Sequence, residues 1–126
     1  MIIIRSNEPK TYHSPGAPTR QAKVFIDEQK IGQKDIVMGM SMYGSGMEAP
    51  YHTHEGSETM FVVRGNGRFG TKERVIEVGP GDVIYFPPRE EHFLKNPGVQ
   101  TLEFVWFYSK PGDEKPIKEK WVPLQT

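Results

Sequence analysis

Residues 46–65 read GMEAPYHTHEGSETMFVVRG, and this stretch holds the most informative pattern in the chain. His52 and His54 stand two positions apart. On an extended strand both imidazoles therefore project from the same face, with Cα atoms about 7 Å apart. The two rings can converge on one ion at roughly 2.0–2.1 Å if neighbouring strands supply further ligands. Glu58 and His92 are the candidates for those positions.

Short apolar stretches alternate with turn-forming residues along the chain, which contains 13 glycines and 11 prolines. The Gly65-Asn66-Gly67 sequence accepts positive φ between two strands, and no segment keeps a helical period. This pattern predicts an all-β fold with a closed or sandwiched antiparallel sheet. The predicted strands cover residues 22–27, 35–43, 59–64, 67–70, 73–78, 82–86, 91–95 and 101–109.

Side-chain alternation predicts which strand faces are buried. In the strand over 35–43 we predict that the apolar face points inward, where methionine adapts to irregular gaps. That face consists of Ile36, Met38, Met40 and Met42.

The strand over 101–109 is apolar on both faces, with Phe104, Trp106 and Tyr108 on one side and Val105 and Phe107 on the other. One face can fill the core, but the second needs a cover. The balanced charge gives little repulsion between copies. We therefore expect a homodimer, with residues 2–4 (Ile-Ile-Ile) covering this face from their own chain or pairing with the partner's sheet.

Composition excludes several classes of function. Sixteen basic and sixteen acidic residues are interspersed, so the footprint of a nucleic-acid binder is missing. The chain has no cysteine, which leaves histidine and carboxylate as its strong metal ligands. No apolar run approaches the roughly 20 residues of a membrane span. Arg5 interrupts the initial apolar residues, so we expect no secretory leader and a cytoplasmic location.

The length of 126 residues fits one domain over 1–126. We place the barrel core at about 22–109, an N-terminal arm at 1–21 and a C-terminal tail at 110–126. In the tail, Trp121, Val122 and Leu124 could dock on a surface.

Two spaced motifs in this chain resemble those of the cupins. The first cupin motif, G-X5-H-X-H-X3,4-E-X6-G, matches at every fixed position from Gly46 through Gly65. The second, G-X5-P-X-G-X2-H-X3-N, resembles Gly81 to Asn96. It departs at one position, where Arg89 replaces the expected glycine, a residue that adopts positive φ more easily.

The resemblance implies a jelly-roll β-barrel of six to eight antiparallel strands with one metal at an open end. His52, His54, Glu58 and His92 would be its ligands. Mixed nitrogen and oxygen ligation suits a divalent transition metal, namely iron, manganese, nickel, cobalt, copper or zinc. Three neutral imidazoles and one carboxylate leave such a site with a charge of about +1, which attracts anionic oxygen ligands.

Two classes of function remain open. One is an enzyme (a metal-dependent dioxygenase, isomerase, decarboxylase or lyase) acting on a small sugar, sugar acid or carboxylic acid. The other is a module that binds a metal or small ligand without catalysis. The complete ligand set favours the enzyme.

Three polar residues on predicted strands are candidate acid, base or anion-binding groups, namely Tyr85, Arg64 and Glu103. Ordinary surface exposure is the alternative for each. His13 is predicted to be solvated and outside the site.

Overall fold

A computed structural model describes residues 1–124 and consists mainly of antiparallel strands. Their order is β1 (Thr11–Ser14), β2 (Ala17–Ile26), β3 (Val37–Tyr43), β4 (Glu48–His52), β5 (Glu58–Arg64), β6 (Gly67–Gly70), β7 (Val75–Val78), β8 (Val83–Phe86), β9 (His92–Lys95), β10 (Leu102–Tyr108) and β11 (Val122–Pro123). Helix α1 (Glu28–Ile31) follows β2, and helix α2 (Lys115–Lys120) follows β10. Neither of these helices is long and apolar enough to cross a membrane.

Two sheets enclose the core. The larger has the order β11-β1-β2-β3-β10-β5-β8, and the smaller has the order β4-β9-β6-β7. Buried side chains from both sheets meet between them, including Met60 and Trp106 from the large sheet and Phe69 and Leu94 from the small one. This arrangement confirms the predicted all-β, jelly-roll fold.

Strand β4 is absent from the predicted strands, although the expected metal site assumed an extended chain through His52 and His54; the observed strand ends at His52. Its composition explains why it was not predicted. It contains Pro50, which cannot donate a backbone hydrogen bond to a neighbouring strand. The pairing of β4 with β9 shifts its register between Ala49 and His52, so the proline falls in the irregular part of the ladder. The strand therefore tolerates a residue that usually argues against one.

The boundaries expected for the two ends need correction. Strand β1 and residues 17–21 of β2 lie in the expected N-terminal arm but form part of the large sheet. These residues are mostly polar, so the sequence shows no apolar alternation that would predict a strand. The first fully buried side chain of the core is Ala22. In the expected tail, Ile117 of α2 is buried in the core and Trp121 packs against it. Residues 125 and 126 of that tail lie outside the described residues.

The predicted inward face of β3 is wrong. Alternate positions starting at Val37 are buried, and Met38, Met40 and Met42 lie on the opposite, half-exposed face. The small residues face inward because Trp106 of β10 occupies the space beside them. Its indole Nε1 donates to Ser41 Oγ at 2.9 Å, and a Cβ on Gly39 would collide with the indole ring.

A buried asparagine ties together two loops, the one that follows β3 and the one between β9 and β10. The side chain of Asn96 is fully buried, and its Oδ1 accepts from the Gly98 backbone N–H at 3.0 Å. Its amide nitrogen lies 2.8–3.1 Å from three backbone carbonyls, those of Tyr43, Gly44 and Gln100. The asparagine of the second motif is therefore structural, since it satisfies buried backbone groups.

Replacing Asn96 with alanine should lower the free energy of unfolding by about 3 kcal/mol, because buried carbonyls and an N–H lose their partner. Urea denaturation measures this loss. The same change at exposed Asn66 is the matched control and should stay within about 0.5 kcal/mol of the parent. Equal stability of the two variants would contradict the structural role of Asn96.

Candidate metal centre

The four predicted ligands come together at one end of the sandwich. Their potential ligand atoms all lie within 4.8 Å of one another. His52 ends β4 and pairs with His92, the first residue of β9, in the small sheet. Glu58 is the first residue of β5 in the large sheet, and His54 lies in the loop between β4 and β5. The cluster therefore joins the two sheets.

Backbone carbonyls orient two of the imidazoles. The Nδ1–H of His52 donates to the Pro50 carbonyl at 2.7 Å, and that of His92 donates to the Glu90 carbonyl at 2.8 Å. When the ring is neutral, an Nδ1–H donated in this way leaves the lone pair on Nε2. The same second-sphere arrangement is typical of histidines that bind metals.

One carboxylate oxygen of Glu58 lies close to the Nε2 atoms of both His92 and His54. Glu58 Oε1 is 3.1 Å from His92 Nε2 and 3.2 Å from His54 Nε2. His54 Nε2 is nevertheless a buried atom that finds no hydrogen-bond partner of suitable geometry among residues 1–124. Such an orphaned nitrogen is costly in a protein interior. A cation shared with the neighbouring donors would satisfy it, so the residues present fit a bound metal.

Burial sets the protonation of this donor set. It is the main cause that lowers the pKa of His52 to about 4, and the neighbouring His92 and His54 rings add to the effect. Burial alone would raise the pKa of Glu58, but the two imidazoles beside it outweigh burial and hold that pKa below its usual value. A neutral His52 and an ionised Glu58 are the forms that bind a divalent cation.

The cluster borders a cavity of about 260 Å³ between the sheets. Aromatic side chains from β3 and β10 form much of its wall, and Arg20 of β2 also lines it. Ile117 and Trp121 from the C-terminal segment close one side. The cavity is thus small, and its wall combines aromatic side chains with polar and charged ones.

Two buried tyrosines in this wall keep their protons. Burial is the largest cause that raises the pKa of Tyr43, and the Glu58 charge adds to it. Burial, followed by the Glu58 charge, raises the pKa of Tyr108 well above its usual value. The Tyr108 ring centroid lies 4.7 Å from that of His54. Both phenols therefore keep a proton to donate at neutral pH, and that of Tyr108 lies beside the cluster.

The structure does not bring the weaker candidates into this cavity. Arg64 and Glu103 form an ion pair at 3.2 Å, and Tyr85 is 58% exposed. Glu103 and Tyr85 lie opposite the buried positions of their strands, on the outer face of the large sheet. A register shift between β5 and β10 places Arg64 opposite Glu103, on the same outer face. His13 is also apart from the cluster, in β1, and its Nδ1 bonds to the Ser14 carbonyl.

Sequence reasoning missed Arg20 and Tyr43 as cavity residues. Tyr43 shares its face with Ser41 and Gly39, so the inward assignment of the methionines placed it outside. The signal that could have found it is the pairing of small residues on β3 with bulky ones on β10. Arg20 was hidden in the segment predicted to be an arm.

Arg89 stands at the position of the motif glycine and adopts a backbone conformation that glycine favours. Its φ is 63°, in the left-handed region that glycine adopts most readily. Its backbone N–H donates to the His54 carbonyl at 2.9 Å. The backbone conformation expected for the motif glycine is therefore kept. The hydrogen bond connects the loop before His92 to the loop that carries His54.

The cupin domain profile matches residues 39–108, more than half of the chain. The chain therefore belongs to the cupin family. Auxin-binding protein 1 of Arabidopsis thaliana is 25% identical over 133 residues, covering 98% of this chain and 67% of that protein.

Two solved structures show the same fold. The polyketide cyclase RemF from Streptomyces resistomycificus has a TM-score of 0.74 at 25% identity, covering 86% of this chain and 78% of that one. An RmlC-like cupin from Shewanella frigidimarina has a TM-score of 0.74 at 14% identity, covering 91% and 96%. An enzyme and a binding protein are thus both among the relatives.

Proposed function

We propose that this cupin binds one divalent transition metal through His52, His54, Glu58 and His92, and that it is an enzyme acting on a small oxygen-bearing metabolite. The observation that carries the proposal is the buried, unpartnered Nε2 of His54 within a cluster of four converging ligand atoms. Iron, manganese, nickel, cobalt, copper and zinc all suit this donor set.

The protein's own residues would position the substrate. A metal at the cluster would supply Lewis-acid chemistry toward a carbonyl or carboxylate oxygen. Tyr108, beside His54, retains its proton and can donate a hydrogen bond to an oxygen on which negative charge develops. Trp121 and Ile117 exclude water from one side of the cavity, which strengthens these electrostatic interactions.

Catalysis is preferred over binding alone because the ligand set is complete and a protonated phenol lies next to it. The polyketide cyclase RemF and auxin-binding protein 1 illustrate the two classes among the relatives. Fold by itself does not choose between them.

Turnover tests this choice. The metal-loaded protein would be incubated with sugar acids, diketones and small carboxylic acids, with Tyr108→Phe as a variant that keeps all four ligands. We expect turnover of at least one compound and a fall in kcat of about 100-fold in the variant if the phenol acts as an acid. Binding of the same compounds without turnover would instead favour the non-catalytic module.

We also propose a homodimer through the outer face of the large sheet. The register places Met40, Val105, Phe61 and Val83 in one apolar row across four strands. Phe61 is 42% exposed and Val83 is 63% exposed. In residues 2–4, Ile2 and Ile3 are also more than half exposed, so they do not provide the cover from their own chain.

Light scattering at micromolar concentration should give about twice the 14.4 kDa chain mass. Val83→Glu should shift the protein to a monomer, because a charge in the apolar row opposes burial. Val75→Glu, on the small sheet, is the matched control and should leave the dimer unchanged. A monomeric parent protein would contradict the proposal.

A further inference from the structure

The cavity contains a cation that the proposed metal site does not use. Arg20 of β2 is directly opposite Tyr43 of β3 in the strand register and lines the cavity. Its Nε donates to Tyr43 Oη at 3.1 Å, and its Nη1 lies 3.4 Å from Ser14 Oγ. Within residues 1–124 it forms no ion pair with a carboxylate.

The guanidinium of Arg20 is restrained by two aromatic rings and keeps N–H groups that can bind a ligand. Its central carbon lies 4.9 Å from the Trp121 ring centroid and 5.5 Å from that of Tyr43. These rings restrain its plane, and within residues 1–124 only two of the five N–H donors of an arginine have protein partners. The remaining donors form the fork that binds a carboxylate at two oxygens.

Charge and shape narrow the class of ligand. Glu58 and Asp113 supply two negative charges to the lining, while a divalent metal and Arg20 together supply three positive charges, so the loaded cavity keeps an excess of about +1. The volume of about 260 Å³ and the aromatic wall of Phe104 and Trp106 favour one small, flat molecule. A small anion with a flat, apolar body matches both the positive charge and the aromatic wall of the cavity.

We propose that Arg20 is the carboxylate-recognition residue of this cavity. The ligand is a small carboxylate whose second oxygen-bearing group faces the histidine cluster, an inference that rests on the proposed function. Arg20 therefore sets substrate specificity, while the cluster performs the chemistry.

A purely structural role is the alternative, in which Arg20 only fastens the C-terminal segment through Trp121. The two roles differ in what an arginine substitution changes. Recognition of a carboxylate affects anionic ligands selectively, whereas loosening of the C-terminal segment weakens anionic and neutral ligands alike.

Benzoate and benzamide form a matched pair of probes, since they share a ring and differ in charge. Calorimetric titration of the metal-loaded protein should show benzoate binding at least tenfold more tightly than benzamide. Arg20→Met should reduce this preference to less than threefold with the metal content unchanged. Arg68→Met, a change at an exposed arginine paired with Glu77, is the control and should keep the full preference.

Two results would overturn the proposal: a benzoate preference that survives in Arg20→Met, or an equal loss of affinity for both probes. Tyr43→Phe provides a second variant that keeps the charge of Arg20 but removes the hydroxyl that orients it. It should weaken benzoate selectively, by about threefold to tenfold, and an unchanged benzoate affinity would count against the proposal.

The same titration separates this proposal from the metal assignment. If the protein takes up no metal, the proposed function fails. The benzoate preference of that metal-free protein still depends on Arg20 if the recognition role is correct. Loss of the preference in Arg20→Met then supports the role, and the absence of any Arg20 dependence contradicts it.

Discussion

Replacing His54 with alanine should remove the metal and leave the sandwich folded. His54 lies in the loop between β4 and β5, outside the strand ladders, and its buried Nε2 has no hydrogen bond that folding would lose. The change deletes one of four ligands, so the metal content after dialysis should fall from about one equivalent to less than a tenth. Elemental analysis and circular dichroism measure the two properties on the same sample.

His13→Ala is the matched control for this variant. His13 is also a partly buried histidine, but it lies in β1 and outside the cluster. The His13→Ala variant should retain the full metal content. Full metal occupancy in His54→Ala would show that the ion binds elsewhere.

Replacing Gly39 with alanine should lower the free energy of unfolding by about 3 kcal/mol or more, or prevent folding. The added Cβ would meet the Trp106 ring and the Lys23 backbone carbonyl. Strand β3 is held between β2 and β10, so its backbone cannot move aside without breaking a ladder. Urea denaturation measures the loss.

Gly98→Ala is the control for Gly39→Ala, because the nearest atom to its new Cβ would be Asn96 Oδ1 at 3.7 Å, an ordinary contact. It should change stability by less than about 1 kcal/mol. Adding Trp106→Phe to Gly39→Ala should recover part of the loss, since the smaller ring frees space. A Gly39→Ala variant as stable as the parent would contradict the packing of Trp106 against β3.

The first motif could be interpreted from the sequence because its chemistry lies within a short stretch. The spacing of His52, His54 and Glu58 reflects a strand, a bend and a second strand, and the structure brings their ligand atoms together. Turns rich in glycine and proline also located most strands. These signals are local, so a single chain is sufficient to detect them.

The faces of β3 could not be predicted in this way. Local hydrophobicity favoured the methionines, but Trp106, more than 60 residues away, requires Gly39 and Ser41 on the inner face. The size of the partner side chain outweighed the hydrophobicity of the strand. Periodicity alone therefore predicts that alternate residues of β3 share a face, but it assigns the wrong face to the core.

The lining of the cavity depends on similar long-range contacts. Arg20 enters it only because β1 and the first half of β2 join the large sheet. The C-terminal segment closes it because Lys118 Nζ bonds to Asp27 Oδ2 at 2.6 Å and Ile117 enters the core. Neither contact has a signal in local composition, since both segments are polar.

Metal analysis of the purified protein is the most direct test of the proposed metal centre. The four converging ligand atoms predict about one equivalent of a first-row transition metal per chain. Less than a tenth of an equivalent, even after reconstitution with iron, manganese, nickel and zinc, would contradict the assignment of this cluster as a metal site.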